Sequence, residues 1–201
     1  MTTSTDVDAQ RAARARRAIA AAVTESWTTI PHFAVSREIA ADALLARREQ
    51  GRAEAPGLTV TDLLLQAAAH AGETDVVGLS VATERGVMNV SLAGIREATP
   101  AELAERRAAL VARARGFALR RGDLDPAPVT LSNLGTHGVD WFTGIIPTGT
   151  ELLLTTGAIR DAWTPDGGER RFWATANADH RAVDGADAAR FLGRFDSGCR
   201  A

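Results

Sequence analysis

The chain has 201 residues, enough for one domain with a proper core, and its 23 basic and 25 acidic side chains leave a formal net charge of −2. That balance gives no electrostatic footprint for nucleic acid or a membrane surface, and no run approaches the roughly 20 apolar residues of a membrane span. All the basic residues are arginine, tyrosine is absent, and the alanine-rich texture reads as a compositional bias of the genome.

In chain order, residues 8–24 read as a helix of strong formers. Their charges come without the uninterrupted apolar core of an export signal, so a soluble, cytoplasmic protein is expected. Pro31 ends the helix, and "TIPHFAVSREI" continues as an extended segment with Phe33, Val35 and Arg37 on one side. A helix follows over "AADALLARREQ" and stops at Gly51; "GRAEAPG" is a loop, and Thr59 caps the buried helix "TVTDLLLQAAAHA". "VVGLSVAT" and "VMNVSLAG" read as adjacent strands. The clearest helix is "TPAELAERRAALVARARG", with Thr99 at the N-cap, Pro100 at the first position, Glu102 completing a capping box and Gly116 as the stop. Strands are expected in "PVTLSNLG", "TELLLTTGAI" and "RRFWATANA", the last two separated by "RDAWTPDGGE", whose Pro-Asp-Gly-Gly marks a turn. A final helix opens near Asp184 and runs to about Phe195. The order predicts an α+β fold, a mixed sheet covered by helices. The single Cys199 is expected as a frayed surface thiol, and no metal-ligand spacing surrounds it.

Two segments hold candidate chemistry. "DHRAVDG", residues 179–185, sets His180 between two aspartates, one of which fixes nearby backbone or pairs with an arginine and so holds the imidazole rigid as a general base. In "TLSNLG", Ser132 sits near the end of an extended run, where its hydroxyl can donate to an oxyanion.

Together "RRAIAAAVTESWTTIPHFAVSREI", "TLSNLGTHGVDWFTGIIPTGTELLLTTGAI" and "ANADHRAVDGADAARFL" resemble the acyltransferase catalytic domain of 2-oxoacid dehydrogenase complexes, which shares its fold with chloramphenicol acetyltransferase. The resemblance covers roughly residues 12–195. It implies a chloramphenicol acetyltransferase-like fold, a single catalytic domain over 12–201 behind a flexible tail of residues 1–11, and a homotrimer with its active channel between subunits. It further implies acetyl-CoA as cosubstrate, no metal, His180 as the base, Ser132 as the oxyanion donor and Asp184 as the residue that maintains the loop through an arginine, with Arg16 and Arg17 both open as partners. Trp141 and His137, beside the serine segment, are candidates for binding the acceptor; His32 reads as structural and His70 as core or helix surface.

Departures from the family shape the expected substrate. No lipoyl or docking segment precedes the domain, so no covalent lipoyl group is expected. The stretch between "LLLQAAAHA" and "GLSVAT" is short, "IIPTGTELLL" replaces the usual turn, and the polar "GRFDSGCRA" suggests a free trimer. These features favour a stand-alone O-acetyltransferase acting on a small-molecule hydroxyl acceptor, of the kind found in tetronate-type polyketide biosynthesis. The alternatives are a dihydrolipoamide acyltransferase served by another chain's lipoyl domain, and a non-catalytic trimeric scaffold.

Overall fold

The computed structural model describes residues 4–165 and 167–201, the side chains of 4–12 and of residue 15 excepted. Helix α1 (Ser4–Thr29) leads into strand β1 (His32–Ala40), followed by α2 (Asp42–Gly51), α3 (Val60–Ala71), β2 (Val76–Thr83), β3 (Gly86–Ala93) and α4 (Pro100–Arg115). Then come β4 (Val129–Asn133), β5 (Leu152–Thr156), β6 (Arg160–Thr164), β7 (Gly167–Asp179) and α5 (Gly185–Arg200). The strands form one mixed sheet in the order β1-β7-β5-β4-β2-β3, with β6 on the edge of β7 that β5 also uses. The β2–β4 and β4–β5 pairs are parallel and the rest antiparallel. The α+β expectation holds.

Alternation along the strands sorts the two faces. Val77, Leu79, Val90, Leu92, Val129, Leu131, Leu154, Ala174 and Ala176 point inward and join Leu44, Leu64, Leu103, Leu110, Phe191 and Phe195 of the helices in the main core. The outward positions are mostly polar: Ser80, Asn89, Ser91, Thr130, Ser132, Thr155, Thr175 and Asn177.

The local reasons for the helices are as expected at α4, where the Thr99 hydroxyl accepts from the Glu102 N–H while the Glu102 carboxylate accepts from the Thr99 N–H at 2.9 Å. At α3 the Asp62 carboxylate accepts from the N–H and hydroxyl of Thr59, and Arg107 of α4 donates to it at 2.6 Å.

Several boundaries differ. Helix α1 starts at Ser4 and ends at Thr29, so its path takes in most of the segment assigned to a tail; residues 1–3 lie outside the described residues. Part of the supposed turn segment 160–169 is strand β6, hairpinned with β7 through a turn in which Asp166 lies outside the described residues. Helix α5 runs on to Arg200, and this corrects the reading of Cys199. It follows Phe191 and Phe195 at four-residue intervals on the buried face, is 0% exposed, and burial pushes its thiol up to about 12.

Candidate active site

Ser132 sits at the penultimate position of β4, on the outer face. The turn after it is held by Asn133, whose side-chain oxygen accepts from the Gly135 N–H at 2.8 Å and whose amide donates to the Thr61 hydroxyl of α3. Gly135 is required there: a Cβ would lie 2.5 Å from the Gly157 carbonyl oxygen.

Residues 140–146 then cross the outer face without joining the sheet, and side chains take up several of their backbone groups. The Thr155 hydroxyl donates to the Phe142 carbonyl at 2.8 Å, the buried Asn177 accepts from the Gly144 N–H at 3.2 Å, and Ser26 of α1 donates to the Ile146 carbonyl. His32 Nε2 accepts from the Ile146 N–H at 3.1 Å, so its proton sits on Nδ1 and is donated to the Ile30 carbonyl at 2.8 Å. His32 is a structural latch, as the sequence suggested.

Between this segment, α1 and strands β2 to β4 lies an open cleft of about 430 Å³. The half-buried Ser132 lines it with Ser80, Asn89 and Ser91, while Ile19, Val23 and Ile145 form its apolar side.

His180 lies elsewhere, just past the end of β7. Its backbone N–H donates to the Pro31 carbonyl at 3.1 Å, and its exposed ring rests on Phe33 with 4.4 Å between centroids. The loop is clamped from both sides. The Asp179 carboxylate accepts from the Arg181 N–H, Nε and Nη2, the last at 2.6 Å, and the Asp179 carbonyl takes the N–H groups of Ala182 and Val183. The Arg181 guanidinium holds the mostly buried Asp179 carboxyl below its usual range. Asp184 is the N-cap of α5, accepting from the Asp187 N–H at 2.7 Å.

The arginine clamp on the loop therefore falls on Asp179, not on Asp184. Among the described residues neither Arg16 nor Arg17 pairs with Asp184, and Arg16 lies beside Thr83–Gly86 at the tip of the β2–β3 hairpin. Trp141 and His137 stand apart from the Ser132 cleft as well. The Trp141 indole, half exposed, donates to the Ser36 hydroxyl at 3.0 Å over the β1 side of the sheet. His137 is exposed on the turn after β4. Asn177, Ser80 and Asn89 escaped the sequence reading; the signal for Asn177 was an amide inside the apolar alternation "WATANAD".

Within one chain Ser132 and His180 are far apart. Ser132 is opposite Thr155, and Thr155 opposite Thr175, which places Ser132 two strands from β7 at a level five residues short of His180. At strand spacings near 4.8 Å and a rise near 3.3 Å per residue, their Cα atoms are roughly 15–20 Å apart. They also use different faces, since Phe33, the ring under His180, is opposite Ala178 on the core side of β7.

The family model for the 2-oxoacid dehydrogenases acyltransferase (catalytic domain) matches residues 4–75 and 72–198. The chain belongs to that family. The two matched stretches of this acyltransferase meet at the four-residue link between α3 and β2, where the sequence looked short. It is 30% identical over 90% of its length to the dihydrolipoyllysine-residue acetyltransferase component of the mitochondrial pyruvate dehydrogenase complex of Caenorhabditis elegans, covering 42% of that protein. The chain spans less than half the length of this relative and of similar chloroplast and bacterial ones. Among solved structures, Azotobacter vinelandii dihydrolipoamide acetyltransferase, studied for the catalytic roles of a serine, a histidine and an asparagine, superposes with a TM-score of 0.87 at 24% identity. That superposition covers 93% of this chain and 88% of the other. Chloramphenicol acetyltransferase superposes at 0.51 with 13% identity over 88% of this chain and 94% of its own. The fold is that of the acyltransferase cores and of chloramphenicol acetyltransferase. Among the described residues no group of three or more His, Cys, Asp or Glu side chains is placed to hold a metal ion, and no helix is long and apolar enough to cross a membrane.

Proposed function

We propose that this acyltransferase moves an acyl group between coenzyme A and a dihydrolipoyl thiol, at a site shared between two copies of the chain. The observation that carries the reading is the rigidly held loop of residues 179–185, which presents an imidazole with no hydrogen-bond partner among the described residues, in a family whose relatives act on dihydrolipoyl groups. In the Azotobacter enzyme the asparagine follows the histidine by four residues, and Asp184 follows His180 by four.

His180 takes the proton from the attacking thiol, the sulfur adds to the thioester carbonyl, and the Ser132 hydroxyl donates to the oxyanion that forms. Collapse breaks the other carbon–sulfur bond, and the imidazolium returns its proton to the departing thiolate. The base contributes about 10²–10⁴-fold and the oxyanion donor about 10²–10³-fold. Because Ser132 and His180 of one chain cannot reach one carbonyl, the reading needs a second copy, and the trimer implied by the sequence resemblance supplies it.

Transfer to a small hydroxyl acceptor, the tetronate-type reading, has less support, since the relatives found are dihydrolipoyl acetyltransferases. Its one favouring observation is the short link from Ala71 to Val76. Release of CoA from acetyl-CoA, with dihydrolipoamide compared against a hydroxymethyl-tetronate, tests both. Release that depends on dihydrolipoamide and is lost in His180→Ala is expected; release with the tetronate alone would replace the main reading with the second.

A further inference from the structure

Pro31, His32 and Phe33, where α1 gives way to β1, touch both halves of the candidate site. The Pro31 carbonyl accepts from the His180 N–H at 3.1 Å, and the Phe33 ring lies against the His180 imidazole with 4.4 Å between centroids. His32 stands between these two anchors, but strand alternation sends its side chain to the opposite, outer face. There Nε2 accepts from the Ile146 N–H at 3.1 Å. Gly144, Ile145 and Ile146 are a wall of the cleft that holds Ser132. One side chain therefore stands between the backbone that carries His180 and the wall of the serine cleft.

The two ring nitrogens of His32 have separate duties. Nε2 takes the Ile146 N–H, which has no other partner among the described residues, and the Ile146 side chain, fully buried, packs in a small cluster with Ile30 and Leu153. Nδ1–H donates to the Ile30 carbonyl at 2.8 Å, and the same carbonyl takes the His32 backbone N–H at 2.9 Å. Two donors on one carbonyl close the turn from Ile30 to His32 and fix the direction of the Pro31 carbonyl that holds His180. The ring itself is confined. Trp27 packs on it with 5.4 Å between centroids, and in the β1–β7 register His32 is opposite Asp179, the clamped residue just before His180.

We infer that His32 is a positioning residue for acyl transfer: its Nε2 sets the cleft wall at Ile145 and Ile146, and its Nδ1 sets the turn from which the His180 loop hangs. The wall acts on binding and the loop on turnover, so the two nitrogens separate in kinetics. The inference rests on the acyl-transfer reading for what the cleft binds, but two of its readouts need no turnover.

Two substitutions in the full-length protein divide the roles. His32→Asn places an amide donor near the Nδ1 position but is too short to accept from Ile146. His32→Gln carries an oxygen to the Nε2 position but leaves the Ile30 carbonyl without its side-chain donor. The loss of one hydrogen bond predicts, for His32→Asn, a KM for acetyl-CoA and a Kd for CoA raised about 3–10-fold with kcat nearly kept. For His32→Gln it predicts kcat lowered about 3–10-fold with KM and Kd nearly kept. NMR with isotope-labelled histidine should show His32 as the Nδ1–H tautomer, and the His180 ring signals should move in His32→Gln and stay in His32→Asn. Equal effects of both variants on both constants, a lowered Tm with unaltered constants, or loss of folding in both would mark a residue of structure alone and overturn the inference. An Nε2–H tautomer of His32 in the wild type would overturn it as well. Failure of the acyl-transfer reading shows separately, as no CoA release with dihydrolipoamide in the wild type; the CoA titration and the His180 signals still read the two nitrogens in that case.

Discussion

A mixing experiment probes the separation of the two proposed catalytic groups, His180 and Ser132, most directly. His180→Ala and Ser132→Ala each remove one group, and each is expected to lower turnover by about 10²-fold or more. The sheet register puts Ser132 and His180 of one chain roughly 15–20 Å apart, against the few ångströms that separate a base and an oxyanion donor acting on one carbonyl. If each site takes its histidine from one chain and its serine from the neighbour, random assembly of the two variants restores an intact pair in one case of four. Equal random mixtures should therefore recover about a quarter of the wild-type rate, and mixed trimers freed of the pure ones about a third, far above either variant alone. The assay is CoA release after co-expression with two affinity tags, with tandem purification to secure mixed oligomers. Mixed oligomers no faster than the separate variants would refute the shared site and place both groups in one chain after a large rearrangement.

Asn177→Ala strands the Gly144 N–H and removes the side-chain donor to the Leu153 carbonyl; about 2–4 kcal/mol of stability is expected to be lost, read by chemical denaturation. Cys199, buried with its thiol pushed up to about 12, should resist thiol reagents at pH 8 in native protein and react stoichiometrically in denaturant; fast native labelling would contradict the packing of α5. Asp179 is held below its usual value of 3.8, so its contribution to stability is full above that pH and is lost as pH falls through the lower folded value. The Tm of wild type should exceed that of Asp179→Asn at pH 6, and the two should converge in strong acid; parallel curves would mean that the Arg181 pair does not stabilise the loop.

The sequence was most informative where short-range chemistry decides the structure. Thr99, Pro100 and Glu102 set the start of α4 by contacts within four residues, and Asp184 opens α5 in the same way. Alternation placed most of the strands. It failed for β6, because "RDAWT" lacks an apolar face of its own and Trp163 is 91% exposed; only pairing with the first residues of β7 makes it a strand. Cys199 was misread because proximity to the terminus was weighed above its four-residue spacing from Phe195 and Phe191, which was in plain view. The two catalytic candidates were legible from their motifs. Their separation was not, since it depends on strand order, and neither was the Arg181–Asp179 clamp, since an aspartate flanked by arginines at several positions offers no local means of choosing among them.

Why the cleft lies where it does follows from the segment that crosses the sheet. Residues 140–146 run over the outer face and cannot use its ladder bonds, so every buried N–H and C=O among them needs a side-chain partner or solvent. Thr155, Asn177, His32 and Ser26 supply those partners, and all four lie on β5, β7, β1 and α1, the side of the sheet that the segment covers. The outward polar positions of β2, β3 and β4 belong to the same face but are left outside this scaffolding. Ser132 stands at the border between the two regions. A polar sheet face that is half consumed in holding a loop and half left open yields a cleft already lined with oriented donors and acceptors. In this fold the chemistry of the site and the support of its wall draw on one row of side chains, so Thr155→Val should disturb the cleft as well as the loop above it. Raised KM for the thioester with kcat nearly kept, together with a lowered Tm, is the expected signature; a Tm change with unaltered kinetics would show that the two halves of the face act independently.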